Sequence, residues 1–283
     1  MSVTADRATR TPAPAPAPVL DEARLTTRRV ARTFSLACRL LPRELRDDVY
    51  LLYLVFRTLD DLVDDGVPGA AAHVDAVAAW AAGEPGARTR EVMVLEDLAT
   101  RHPIPRDALT DFCAGMRHDL AGGTLRTEAD VDVYCFRVAG TVGVVMAAIL
   151  GSDDFEVARP AAAALGMAMQ RTNILRDIDE DLAAGRVYLA QDTVARFGGS
   201  LAPGAREGLM RDQIARADRL YERGCKGIPL LLHGRRAVSA AAGMYREILR
   251  QIEREGYGVS AGRVVVARPR KLLIAARRGV LSR

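Results

Sequence analysis

Tyr53-Leu54-Val55-Phe56-Arg57-Thr58-Leu59-Asp60-Asp61-Leu62-Val63-Asp64-Asp65 is an apolar helical stretch that ends in acid. The pattern predicts a helix over 44–65. On it Asp60 and Asp64 share a face one turn apart, and Asp61 and Asp65 form a neighbouring pair. Arg57 lies one turn before Asp61, and Tyr53 one turn before Arg57. Like charges at this spacing repel by a few tenths of a kcal/mol. A cation between them explains the doubled arrangement, and hard oxygen ligands without His or Cys nearby select Mg2+ over zinc.

A second acidic stretch answers the first: Gln170-Arg171-Thr172-Asn173-Ile174-Leu175-Arg176-Asp177-Ile178-Asp179-Glu180-Asp181, followed by Arg186 and Tyr188. Asn173, Asp177 and Asp181 are spaced by four, so amide and carboxylate oxygens line one stripe. Arg176 and Arg186 set positive charge beside it. A single acidic run on a helix is more often a solvated face. Two such runs, each with an adjacent arginine and apolar flanks that demand burial, point instead to facing rows. Those rows would hold Mg2+ ions that neutralise a diphosphate and assist its departure.

Between them runs Tyr134-Cys135-Phe136-Arg137-Val138-Ala139-Gly140-Thr141-Val142-Gly143-Val144-Val145-Met146. Each glycine costs about 1 kcal/mol of helix propensity. Ala139, Gly140, Thr141 and Gly143 therefore suit either a helix break with close approach of a long apolar ligand, or tight helix–helix packing.

Working outward, helical periodicity covers 22–41, 44–65, 69–82, 89–101, 106–121, 127–150, 155–184, 204–226 and 234–256, punctuated by proline and glycine. Strand-like alternation is almost absent, and Val264–Val266 is the one clear β-branched run. The expectation is an all-α, single-domain bundle of about ten helices around a central apolar cavity, spanning 21–283. Residues 1–20, with Pro-Ala alternation, read as an extended leader with no signal-peptide core.

The 283 residues are 49% hydrophobic and 27% charged, which permits a sizeable core and excludes global disorder. A net charge of +4 is too even for a protein that coats nucleic acid. The four cysteines lie far apart without CxxC or Cys/His pairing, so neither a disulfide framework nor a zinc site is expected. The apolar run from Val138 to Gly151 is shorter than the roughly 20 residues a span needs and reads as a core helix. A cytoplasmic protein is expected. Arg268–Arg283 interleaves Arg268, Arg270, Lys271, Arg277, Arg278 and Arg283 with leucines and other aliphatics. It reads as a solvated terminal helix or as a peripheral membrane contact.

In order along the chain, these pieces resemble the squalene/phytoene synthase family over about residues 25–275. The matching elements begin with Arg32-Thr33-Phe34-Ser35 and Leu40-Leu41-Pro42, then Tyr53…Arg57…Asp60-Asp61…Asp64 and Gly115-Met116…Asp119. Tyr134-Cys135…Val138-Ala139-Gly140-Thr141-Val142-Gly143 and Gln170…Asn173-Ile174-Leu175-Arg176-Asp177…Glu180-Asp181 follow, then Gly185-Arg186-Val187-Tyr188-Leu189. Tyr245 with Ile248-Leu249, Tyr257 and Lys271-Leu272 resemble the C-terminal part.

The resemblance implies an isoprenoid synthase fold and head-to-head (1′–1) condensation of two allylic prenyl diphosphates, farnesyl or geranylgeranyl, through a cyclopropyl diphosphate. It implies metal binding by Asp60, Asp64, Asp177 and Asp181, with Asp61 counted alongside them and Asn173 in support. Arg57, Arg176 and Arg186 would contact diphosphate oxygens, and Tyr53, Tyr134, Tyr188 and Tyr257 would lie near the diphosphate or the cation. Phe34, Val138, Ala139 and Leu165 would line a prenyl tunnel, with Gly143 and Gln170 also binding substrate.

The chain has Val30-Ala31 where the family often has a hydroxyl, and Leu189-Ala190 where Leu-Pro is common. NADPH is not favoured, since no GxGxxG follows a strand, although a reductive synthase need not carry one. No obligate protein partner is implied. The competing readings are a class I terpene cyclase acting on one prenyl diphosphate, and a non-catalytic prenyl-binding subunit. Low aromatic content counts against the first, and two complete acidic rows against the second.

Overall fold

In α3 (Arg43–Asp64), Val49, Leu52, Val55, Phe56, Leu59 and Val63 recur at intervals of three and four, and all are buried. That stripe fixes the helix against the core. The computed structural model that supplies this geometry describes residues 17–281. Most of the sequence's Pro-Ala leader lies outside that range, and Ala17–Leu20 already belong to the first helix.

Ahead of α3 come α1 (Ala17–Val30) and α2 (Arg32–Cys38). The expected single helix over 22–41 is thus two helices with a break at Ala31. Then follow α4 (Ala70–Ala82), α5 (Arg90–Ala99) and α6 (Arg106–Leu120). Next are α7 (Glu128–Cys135), a π-turn (Phe136–Gly140) and α8 (Thr141–Leu150). The chain continues through α9 (Phe155–Arg176), α10 (Ile178–Ala183), α11 (Gln191–Arg196) and α12 (Glu207–Cys225). It closes with α13 (Arg235–Arg254) and α14 (Arg268–Leu281). The described residues contain no strand, and Val264–Val266 is not helical either. The fold is the all-α bundle the sequence led us to expect.

Helix α9 is the axis of the bundle, flanked by α8, α12, α13 and the π-turn. Its small residues permit this. A Cβ on Gly166 would strike the Ala139 carbonyl oxygen, and one on Gly143 would strike the carbonyl of Ala162. Backbones therefore touch where the sequence offered either a break or tight packing: the packing is present, and in place of a break the helix carries a π-turn. The extra residue of the π-turn interrupts the helix at Phe136–Gly140 and re-aims Val138 and Ala139. The 128–150 stretch is apolar enough to span a membrane by length alone. Val144, Val145, Ile149 and Leu150 are nonetheless buried in the core.

The expected helix over 155–184 breaks at Asp177, which adopts φ −104° and ψ 10° between α9 and α10. The break preserves the acidic stripe. Asp177 N–H donates to Asn173 O at 2.9 Å, and Asp181 N–H to Asp177 O at 2.9 Å, so the four-residue repeat continues across it.

Candidate active site

Asp60, Asp61 and Asp64 occupy the last turn of α3, the negative end of its dipole. Neither the dipole nor mutual repulsion favours them there, so the arrangement serves binding and not helix stability. Arg57 compensates in part. It donates to Asp60 Oδ2 at 3.0 Å and forms an ion pair with Asp61.

The second row enters from α9 and α10. Arg176 donates to Asp177 Oδ1 at 2.7 Å. Asn173 donates from Nδ2 to Gln170 Oε1 at 3.3 Å, leaving Asn173 Oδ1 buried and without a hydrogen-bond partner. After α10 the chain turns back, with Arg186 N–H bonded to Asp181 O at 2.8 Å. That turn aims Arg186 at the first row, where Nη1 reaches Asp64 Oδ1 at 2.6 Å and Nη2 the Asp64 carbonyl at 2.7 Å. Arg186 thus ties the turn after the second acidic motif to the end of the first, and Asp64 lies close enough to act on Asp181.

Electrostatics record this crowding. Burial, then Asp64, raises the Asp60 pKa to about 6. Burial, then Asp177, raises Asp181 to about 6. Asp119 on α6, also raised chiefly by burial and then by Asp64, reaches about 7. Tyr134 donates to Asp119 Oδ2 at 3.3 Å, and its ring stacks on Tyr188 at 5.3 Å. Burial raises Tyr53 and Tyr188 to about 12 and Tyr134 well above the usual phenol value. All three remain neutral O–H groups at physiological pH.

The apolar candidates fall into two groups. Phe34 lies against Tyr53 at 5.3 Å between ring centroids. With Val138 it stays partly accessible while packing against the core, alongside Val142 and Met146. Ala139 and Gly143 form the close backbone contacts with α9 described above. Leu165 is different: it is buried at the crossing of α9 and α12, where a Cβ on Gly224 would meet its backbone at 2.7 Å. Its backbone thus takes part in the packing of α9 on α12.

Tyr257 departs from expectation. Arg211 on α12 lies 3.8 Å over its ring, and the residue holds φ 58° in a tight turn. Among the described residues no hydrogen bond or ring contact joins it to either acidic row.

Tyr245 on α13, which the resemblance picked out without assigning it a role, lies beside the second acidic row. Burial raises its pKa, and Arg176 and Asp177 act on it most strongly among charges. Arg263 reaches Asp177 Oδ1 at 3.1 Å and Glu180 Oε2 at 3.3 Å from the segment before α14. Lys271 donates to Thr33 at 3.1 Å, with Arg176, Arg263 and Arg32 close enough to lower its pKa beyond the effect of burial. No periodic pattern signals these partners, because each comes from a segment distant in sequence.

The donor set suits a hard divalent cation: carboxylates plus one orphaned amide oxygen. Among the described residues no three acidic groups already form a cation-ready cluster. Arginines engage the carboxylates instead.

A family model described as squalene/phytoene synthase matches residues 27–270. A 15-cis-phytoene synthase of Synechococcus elongatus is 35% identical over 278 residues, covering 89% of each chain. A phytoene synthase of Thermus thermophilus is 38% identical over 238 residues, covering 80% of each. Among solved structures, a dehydrosqualene synthase in complex with ligand superposes with a TM-score of 0.84 at 26% identity, over 93% of this chain and 96% of that one. A squalene synthase from Alicyclobacillus acidocaldarius gives 0.74 at 27% identity, over 85% and 95%.

Proposed function

The chain belongs to the squalene/phytoene synthase family and is a prenyltransferase, and we propose that it joins two geranylgeranyl diphosphates head to head into a linear C40 hydrocarbon of the phytoene type. The observation that carries this reading is the contact of Arg186 with Asp64, which sets the second acidic motif against the first. The identity to phytoene synthases supports the C20 substrate.

Asp60, Asp61, Asp64, Asn173, Asp177 and Asp181 would hold Mg2+. Bound Mg2+ supplies Lewis-acid and charge stabilisation to the departing diphosphate. Arg57, Arg176 and Arg186 trade carboxylate partners for diphosphate oxygens, with charge-assisted hydrogen bonds in both states. Tyr53, Tyr134 and Tyr188 present neutral O–H donors at the same end. Phe34, Val138, Val142 and Met146 offer apolar surface to the prenyl chain and exclude the water that would quench an allylic cation.

In this scheme the first diphosphate leaves with the electrons of its C–O bond. The C2–C3 double bond of the second substrate then attacks the allylic carbon, and loss of a proton closes a cyclopropane. Departure of the second diphosphate drives rearrangement of that ring, and loss of a further proton gives the linear product.

The test is product analysis with purified protein, Mg2+ and either geranylgeranyl or farnesyl diphosphate, with and without NADPH. A linear C40 hydrocarbon formed without NADPH is the expected result. A cyclic C20 or C15 product would replace this reading with a terpene cyclase.

A further inference from the structure

At the opposite end of α3 from its acidic turn, a groove of about 570 Å3 opens between α1 and α3. Arg24, Leu25, Arg28, Arg43, Arg46 and Tyr50 line it together with the carboxylates of Asp21 and Asp47. Arg24 is already satisfied, by Asp47 at 2.7 and 3.1 Å and by Asp21 at 3.1 Å. The other three guanidinium groups have no carboxylate partner among the described residues. Arg46 spends Nη2 on the Leu41 carbonyl at 3.3 Å, and its Nε is buried without any partner. Three cations lining one groove repel one another, and a phosphate oxygen array is the complementary ligand.

The rim decides the source of that phosphate. Leu25, in the same lining, is 65% exposed. A free phosphate gains nothing from such a side chain, whereas a phospholipid surface buries it beside its headgroups.

We propose that this α1–α3 corner is a docking site for an anionic lipid bilayer, with the Arg28–Arg43–Arg46 groove receiving a phosphate headgroup. The placement suits the proposed chemistry, on which this part of the argument rests. Arg46 and Asp60 are separated by fourteen residues of unbroken helix, or ~21 Å at 1.5 Å per residue. The groove and the acidic rows therefore occupy opposite ends of α3. Tyr50 in the groove lies one turn before Tyr53, against whose ring Phe34 of α2 packs. One layer of helix separates the headgroup site from the apolar residues assigned to the prenyl chain.

The test is co-sedimentation of the full chain with phosphatidylcholine vesicles, with and without phosphatidylglycerol. Binding is expected only to the anionic vesicles and should weaken as salt rises. Arg28→Glu with Arg43→Glu should lower it at least about tenfold, at roughly 1 kcal/mol per basic residue. Arg28→Gln with Arg43→Gln should lower it less, in the same direction. Unaltered circular dichroism and unaltered turnover of detergent-dispersed substrate would show that the fold and site are intact.

Undiminished vesicle binding in the reversed variant overturns the proposal. So does a loss seen instead with Arg268→Glu and Arg277→Glu, which would place the contact on α14. Inorganic phosphate protecting the groove while vesicles fail to bind would reduce it to a free-anion site and equally overturn it. None of these readings depends on which hydrocarbon the protein makes.

Discussion

Arg186 Nη1 lies 2.6 Å from the Asp64 carboxylate, joining residues 122 positions apart. The bond ties the turn after α10 to the end of α3. It is half-exposed at the rim of the site, where solvent screening makes a salt bridge worth little to stability. Its significance is positional: it shows which two carboxylate rows share one space.

Asp60→Ala and Asp177→Ala should each reduce turnover by roughly 10²–10³ or more, as expected when charge stabilisation of a leaving group is lost. Far-ultraviolet circular dichroism should be unchanged, because Asp60 opposes the α3 dipole and neither residue lies in the hydrophobic core. Near-normal turnover in both variants would overturn the site assignment.

The raised carboxylates make stability depend on pH. Asp60, Asp119 and Asp181 move from an ordinary value of 3.8 to about 6, 7 and 6 in the fold. Their contribution is therefore fully present below about pH 4 and is lost as pH rises through 6 to 7. Mg2+ needs the deprotonated forms and opposes that loss. Thermal denaturation with and without Mg2+ should show a larger stabilising shift at pH 7.5 than at pH 5. An equal shift at both values would contradict the coupling.

Tyr134→Phe removes the hydroxyl that donates to Asp119 while keeping the ring stacked on Tyr188. A lost hydrogen bond to a charged group is worth about 1.5–3 kcal/mol. On this basis the melting temperature should fall by several degrees, and kcat should fall at least about tenfold as well. A drop in melting temperature with kcat preserved would make Tyr134 a packing residue.

Gly166→Ala places a methyl group against the Ala139 carbonyl, where π-turn and α9 backbones meet. Overpacking of this kind costs about 1–3 kcal/mol. Thermal unfolding should shift down by several degrees. An unshifted transition would show that the two backbones separate without penalty.

What the sequence disclosed depended on period and spacing. The stripe from Val49 to Val63 announces α3, and the four-residue intervals announce both acidic rows. Asn173–Asp181 kept its spacing even though the helix breaks at Asp177, because the backbone bonds run through the break.

The π-turn at Phe136–Gly140 was less legible: its glycines signalled either a break or close packing, and only the α9 backbone opposite shows the packing, with a π-turn in place of a break. The short α11 escaped notice because six residues hold too few periods to register. The close approach of the Leu165 backbone to Gly224 on α12 has no counterpart in the spacing of apolar residues. Tyr257 was assigned by motif position, but its positive φ and the Arg211 stack hold it elsewhere. Asp119, Tyr245 and Lys271 stood out by resemblance alone, and Arg263 did not; their partners come from segments distant in sequence, which no local pattern encodes.

The most direct test of the two-row account is the ratio of inorganic diphosphate released to hydrocarbon formed from geranylgeranyl diphosphate. Paired rows working on two substrates should give two diphosphates for every linear C40 molecule, with no free C20 hydrocarbon. One diphosphate for each C20 product, cyclic or linear, would show that a single substrate is ionised alone and would contradict the account.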